Sequence, residues 1–317
     1  MRACWLIALL ATGGPGIATA FDLEAHRGGR GVAPENTLPA FAQALAAGVT
    51  TLETDLALTR DGVLVLSHDP YLNPVLTRGP DGRWLEAKGP VIRSLTLEQL
   101  SAYDVGRLNP DSEYARLWPD QRPADGARVP TLAALFTLAR ERRVRFNIET
   151  KLTPDDGDAA AGPATFAGAV VDTVRRAGMS ERVVVQSFDW RTLIEVNQLA
   201  PEIATSCLTA QTATLDTVRP EGDGASRWHA GLRAADHGES LIELVRAAGC
   251  SIWSPFWGNL TPELLAEAHA ARLKVVPWTV NDPETIEALA ALGVDGLITD
   301  YPERARRILT ARGVAIE

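Results

Sequence analysis

Leu52–Asp69, LETDLALTRDGVLVLSHD, reads as two strands joined by a turn at Arg60-Asp61-Gly62. That reading puts Glu53, Asp55 and Ala57 on one face and Leu52, Thr54, Leu56 and Leu58 on the other. Carboxylates two residues apart on a strand lie roughly 6 to 7 Å apart at their backbones, so both side chains can converge on one divalent cation. The second strand ends in His68-Asp69. Burying two carboxylates is costly without a positive charge nearby. An exposed edge strand with a wet polar face shows the same alternation, and the rest of the chain has to choose between the two.

On either side of this hairpin, strand-like runs alternate with helical ones. Leu23–His26 leads into a Gly-rich turn, Arg27–Gly31, and Pro34-Glu35-Asn36-Thr37 precedes a helix carrying Leu38, Phe41 and Leu45 on one face and closed by Gly48. Residues 70–129 are dense in Gly, Pro, Asp and Arg and too long for a simple connection, so they read as an inserted capping subdomain with one helical signal, Thr96–Tyr103, and the aromatics Tyr71, Trp84, Tyr114 and Trp118. Further strands are expected from Val144, Val183, Ile203, Cys250, Leu273 and Asp295, with a second irregular insert at 209–237. Together with those from Leu23 and Thr51 they make eight strands alternating with helices. The predicted fold is α/β, a (β/α)8 TIM barrel with a small capping insertion after the second strand; an open doubly wound sheet has the same local pattern.

A barrel requires its chemistry at the C-terminal ends of several strands. His26 and Arg27 end the first, Glu53 and Asp55 the second, Glu149 and Lys151 the third, Gln186 and Ser187 the fourth, Trp278 the seventh and Thr299-Asp300 the eighth. A wet edge would not place polar residues at the same end of strand after strand.

Composition bounds the partners. A hydrophobic share of 46% with 22% charged residues fits a well-cored globular chain. Residues 1–20 read as a signal peptide: Arg2, the apolar run Trp5–Ala11, and Ala18-Thr19-Ala20 as a small-residue cleavage site. The run is too short for a span of about 20 residues, so the expectation is an exported protein, periplasmic or secreted after cleavage near Ala20, without a stable membrane anchor and with one domain over residues 21–317. Cleavage removes one Arg and leaves 30 basic against 40 acidic residues with no basic run, which argues against nucleic acid and requires an anionic small molecule to be held by local charges or a metal. Cys207 and Cys250 would remain, free to pair in an oxidising compartment or to stay as buried thiols.

Glu53, Asp55 and Glu149 suit a hard cation, Ca²⁺ or Mg²⁺, and the lack of a His- or Cys-rich shell disfavours zinc. His26 and His68 stand at strand ends and can exchange protons near neutral pH. His229 and His237 fall in a loop and His269 late in an amphipathic helix, so these three are read as structural. Arg27 and Lys151 add fixed positive charge, and the whole set matches a phosphodiester. An interior ion pair between Glu149 and Lys151 is the plainer alternative, but three acids need more than one Lys.

Six spaced motifs, His26-Arg27-Gly28, Pro34-Glu35-Asn36-Thr37 with Phe41, Glu53-Thr54-Asp55 with His68-Asp69, Glu149-Thr150-Lys151, Trp278-Thr279-Val280-Asn281 and Thr299-Asp300-Tyr301-Pro302, run in order from about Leu23 to Pro302. They resemble the ordered signature of the glycerophosphodiester phosphodiesterase family. The resemblance implies a metal-dependent barrel enzyme that hydrolyses glycerophosphodiesters, such as glycerophosphocholine and glycerophosphoethanolamine, to glycerol 3-phosphate and an alcohol. It implies His26 and His68 as the acid–base pair, Glu53, Asp55 and Glu149 as metal ligands, and Arg27 and Lys151 as phosphate contacts. Glu35, which would support the first-strand loop, and Trp278 complete the expected substrate-binding set. Two rival readings keep the barrel: a lysophospholipase D or phospholipase acting on intact lipid, with Trp253, Phe256 and Trp257 as an apolar lip, and a barrel that binds glycerophosphodiesters without cleaving them.

Overall fold

The computed structural model describes residues 20–316, so the expected signal peptide lies outside the described residues. Eight parallel strands form the sheet: β1 (Asp22–Ala25), β2 (Thr51–Leu58), β4 (Arg145–Thr150), β5 (Val183–Ser187), β6 (Ala204–Thr209), β7 (Ile252–Pro255), β8 (Lys274–Val275) and β9 (Gly296–Thr299). β3 (Leu64–Leu66) is the return strand of the hairpin and pairs antiparallel with β2 alone, Ala57 opposite Val65. The strands run β8-β7-β6-β5-β4-β2-β1-β9. Backbone bonds from Asp295 to Val275 (3.0 Å), from Ile298 to Pro277 (3.0 Å) and from Val280 to Ile298 (2.8 Å) join the two ends into a barrel. The expected strand Leu273–Val280 shrinks to β8 because Pro277 has no N–H to give a ladder, although its carbonyl still accepts.

The outer helices are α1 (Leu38–Ala47), α4 (Leu132–Leu138), α5 (Pro163–Ala177), α6 (Trp190–Leu199), α7 (Leu241–Ala247), α8 (Pro262–Ala270), α9 (Pro283–Leu292) and α10 (Pro302–Ala311). Many start as their sequence demands: Thr37, Thr131, Ser240, Thr261 and Asp282 each accept a backbone N–H one turn on, and α1, α8 and α9 carry Pro in their first turn. The core lies between strands and helices, where Leu52 and Leu56 of β2 are fully buried and Phe136 meets Phe146 edge-on at 4.8 Å.

The inside of the barrel is polar. The Asn147 amide donates to Glu24 Oε2 (2.8 Å) and to Gln186 Oε1 (3.0 Å), and the Gln186 amide donates to Glu53 Oε1 (2.9 Å). The register sets this up, with Glu53 beside Asn147, Asp55 beside Glu149 and Glu149 beside Gln186. Thus the alternation seen at Glu53 and Asp55 marks an inward face and not a wet edge.

The capping insert has its own small core of Leu72, Ile92, Leu100 and Val129, packed on Ala57 and Val65 of the hairpin. It contains two single-turn helices, α2 (Leu97–Leu100), started by a capping box of Thr96 and Gln99, and α3 (Glu113–Arg116).

Cys207 and Cys250 form a disulfide, which joins β6 to the turn before β7 and decides between the two readings left open by the sequence. It closes a loop of 43 residues. The double variant Cys207→Ser, Cys250→Ser is expected to lose about 2 to 4 kcal/mol of stability in urea unfolding, since the open chain regains the entropy of that loop. Unchanged unfolding would show that the bridge adds nothing.

Candidate active site

β1 ends at Ala25, and the next turn places Arg27 and Gly28 in the left-handed region, at φ 52° and 81°. Gly28 is required there, because a Cβ would come within 2.9 Å of the Ala40 Cβ. Arg27 is held in its strained backbone by three anchors. Its N–H donates to Glu53 Oε2 (2.8 Å), Nη1 pairs with Glu35 Oε1 (2.7 Å), and Nε lies 3.1 Å from Asp55 Oδ2. Asn36, also left-handed at φ 56°, donates to Asp55 Oδ2 (3.0 Å) and accepts from the Thr54 hydroxyl (2.8 Å).

Glu53, Asp55 and Glu149 are all buried and each offers a carboxylate oxygen within 4.8 Å of the others. Lys151 Nζ pairs with Glu149 Oε1 at 2.8 Å and stays 3.8 Å from Asp55 Oδ1, an oxygen without a hydrogen-bond partner among the described residues. Burial, with Asp55 and Glu149 close by, pushes the Glu53 carboxyl well above its usual range. Burial likewise lifts Glu149 to about 7 against the pull of Lys151. At Asp55 burial is outweighed by Arg27, His68 and Lys151, which hold it low. A surplus of negative charge converging on one point, with an orphaned oxygen facing it, is a donor set that fits a hard divalent cation.

The two histidines are held alike. His26 Nδ1 lies 2.6 Å from Asp300 Oδ1, and Asp300 is itself fixed by Arg30 Nε (2.7 Å) and the Asn281 amide (2.6 Å). His68 Nδ1 lies 3.2 Å from Asp69 Oδ1, with Asn73 on the other carboxylate oxygen at 2.6 Å. In each ring the carboxylate engages Nδ1, and among the described residues Nε2 has no hydrogen-bond partner. Burial, with Arg30 and Arg27 adding to it against Asp300, lowers the His26 pKa to about 4. Burial, Arg27 and Lys151 lower His68 as well.

These residues line a cavity of about 380 Å³ at the C-terminal mouth of the barrel: His26, His68, Arg27, Glu53, Glu149 and Lys151 stand on its walls together with Trp278. Asp55 and Glu35 stand behind Arg27. All nine residues expected from the sequence therefore come together. Several partners went unread: Gln186 was visible only as a polar residue at a strand end, Asp300 as that and as a member of a motif, and Asn36 and Asp69 only as members of motifs. Of the expected lip, Trp253 belongs to the core, 1% exposed, with Nε1 bonded to Thr209 Oγ1 at 2.9 Å. His229, read as a loop residue, is buried and stacked on Trp190 at 3.9 Å.

The cap reaches into the site through Tyr114. Its hydroxyl donates to Glu35 Oε2 (2.5 Å) and accepts from Arg30 Nη1 (3.3 Å), so it links the Arg27–Glu35 pair to the Arg30–Asp300–His26 chain.

The family model described as Glycerophosphoryl diester phosphodiesterase family matches residues 26–304. The chain belongs to that family. It is an enzyme, a phosphoric diester hydrolase of the glycerophosphodiester phosphodiesterase kind. A glycerophosphodiester phosphodiesterase of Caldanaerobacter subterraneus subsp. tengcongensis is 29% identical over 88% of this chain and 93% of its own length. Among solved structures, one of the same family from Silicibacter pomeroyi is 38% identical with a TM-score of 0.83, covering 95% of this chain and 96% of that one. A phosphodiesterase of Oleispira antarctica, solved with the product sn-glycerol-3-phosphate, is 21% identical with a TM-score of 0.67 over 91% of this chain and 96% of its own, a likeness of fold. No helix among the described residues is long and apolar enough to cross a membrane.

For this phosphodiesterase, Tyr114→Phe keeps the ring and deletes the bridging hydroxyl. It is expected to lower kcat/KM about tenfold, the usual cost of losing a residue that orients site groups. An unchanged value would make Tyr114 a packing residue only.

Proposed function

We propose that the protein hydrolyses glycerophosphodiesters, such as glycerophosphocholine and glycerophosphoethanolamine, to glycerol 3-phosphate and an alcohol, with His26 and His68 as the acid–base pair. The single observation that carries this reading is one cavity lined by His26, His68, Arg27, Lys151, Glu53 and Glu149, with a carboxylate oxygen of the buried Asp55 within 4.8 Å of those of both acids.

In this mechanism Glu53, Asp55 and Glu149 would hold one divalent cation, Ca²⁺ or Mg²⁺, which when bound supplies positive charge to the phosphate. Arg27 and Lys151 orient the non-bridging oxygens; Arg27 is itself fixed by Glu35 and Asp55 and spends no ordering entropy on binding. One imidazole takes the proton from the attacking oxygen through Nε2 and the other returns a proton to the leaving oxygen. Asp300 and Asp69, bonded to the two Nδ1 atoms, fix the tautomers and stabilise whichever ring is charged. The attacking oxygen is water or the substrate's own neighbouring hydroxyl, and either path uses the same two rings.

Intact lipid is less well supported, because Trp253 is withdrawn into the core and the cavity is at the small end of ligand sites. Export to the periplasm or exterior, after cleavage near Ala20, is part of the proposal, supported by a disulfide of the sort that persists in oxidising compartments.

The test is release of glycerol 3-phosphate from glycerophosphocholine with and without a chelator: activity lost on chelation and restored by Ca²⁺ or Mg²⁺ is expected, and activity indifferent to chelation would remove the metal. Metal affinity carries its own pH signature. Glu149 must be ionised to ligate, and in the metal-free protein it holds its proton up to about 7. Affinity therefore rises with pH through that value, with the raised Glu53 carboxyl adding to the slope, and should be at least about tenfold weaker at about pH 6 than at about pH 8 by calorimetry. A flat profile would show that neither Glu149 nor Glu53 must give up a proton to bind the ion, against their role as ligands.

A further inference from the structure

Part of the cavity lining is aromatic. Phe188, Trp228 and Trp278 line it, all half-buried, with Leu208 and Leu215 beside them. The Phe188 ring stands at 84° to Trp278, centroids 5.3 Å apart, and at 71° to Trp228, centroids 6.3 Å apart. Phe188 thus forms a corner with the two indoles, and a further carboxylate, Asp156, lines the same cavity besides Glu53, Asp69 and Glu149. Lys151 Nζ is 5.9 Å from the Phe188 centroid and is paired with Glu149.

Two of these residues, Leu215 and Trp228, come from the 209–237 insert, and the chain fastens Trp228 from several sides. The Trp228 carbonyl accepts from the Trp190 N–H (2.9 Å) at the start of α6, and its own N–H donates to Ser226 Oγ (3.3 Å). Next door, His229 stacks on the Trp190 ring, tilted by only 13°. On the other side, Arg227 pairs with Asp155 at 2.5 Å, tying the insert to the loop that carries Asp156. A surface loop with no function would not need a buried imidazole stack to fix one half-buried indole.

From this arrangement we infer that the 209–237 insert completes a leaving-group subsite that selects a quaternary ammonium alcohol, with Trp228, Phe188 and Trp278 as its specificity residues and Asp156 as its counter-charge. The inference rests on the hydrolysis proposed above. Aromatic faces attract a trimethylated ammonium through their negative quadrupole and pack against its methyl groups. A primary ammonium carries a tight hydration shell that these rings cannot replace, and a polyol would leave its hydroxyls facing carbon.

The test compares kcat/KM for glycerophosphocholine, glycerophosphoethanolamine and glycerophosphoglycerol in wild type and in Trp228→Leu. Wild type is expected to favour the choline ester about tenfold or more over the ethanolamine ester, and Trp228→Leu to bring that ratio to about one. In wild type alone, tetramethylammonium is expected to compete with substrate at least about tenfold more tightly than ammonium, which keeps the proposal testable if the variant fails to fold. A choline-to-ethanolamine ratio near one in wild type, a ratio that survives Trp228→Leu, or equal inhibition by the two cations would overturn it. Cleavage of all three esters without preference defeats this inference alone. Failure to cleave any of them defeats the proposed hydrolysis, and this inference with it.

Discussion

His26→Ala and His68→Ala are each expected to lower kcat for release of glycerol 3-phosphate about 10³-fold, with the far-UV spectrum and unfolding midpoint close to wild type. The two rings come from different elements lining one cavity, His26 after β1 and His68 after β3, and each is clamped at Nδ1 by its own carboxylate. Neither can stand in for the other, because a proton must leave the attacking oxygen on one side of phosphorus and arrive on the other. Asp300→Asn should fall between wild type and His26→Ala, since it keeps the shape but loses the charge that favours the protonated ring. Retention of more than a tenth of wild-type kcat in His26→Ala would refute its assignment as acid or base.

Arg27→Met is expected to cost about 3 to 5 kcal/mol in unfolding of the metal-free protein, besides abolishing activity. Arg27 is 8% exposed, and its guanidinium faces Glu35 and Asp55 at once. Removing it strands two buried carboxylates whose partner it is, a far larger penalty than cutting an exposed ion pair. Part of the loss should be regained on lowering the pH. Arg27 holds both carboxyls below their usual range in the folded protein, and without it they take up protons readily. A variant as stable as wild type at neutral pH would show that the cluster is not held together by this charge.

The fold was legible because barrels of this kind write themselves as alternation: Pro34-Glu35-Asn36-Thr37 before α1 and Gly48 after it are local signals, and so are the apolar strand-like runs. The acidic hairpin was legible for the same reason, since Glu53 and Asp55 obey the two-residue period of a strand. What stayed hidden depended on distance in the chain. Asp300 meets His26 across 274 residues and Tyr114 meets Glu35 across 79, and no local pattern announces either partner. Trp228 and His229 sit in an irregular insert without periodicity, so their burial could come only from the tertiary fold. The Cys207–Cys250 bridge needed a fixed separation of β6 and β7 before pairing could be told from two free thiols.

At eight residues β2 is longer than its parallel neighbours, and its last turn of the pleat, Ala57 and Leu58, leaves the barrel to pair with β3. The same row of side chains that carries Glu53 and Asp55 runs on to Ala57, which is packed in the cap's own core. One strand thus acts as a spar common to two bodies, with the acidic cluster at its middle. Anyone exchanging caps between relatives should splice outside the hairpin, near Pro70 and Val129, because a cut between Ala57 and Val65 would shift the spar and drag Asp55 off its mark.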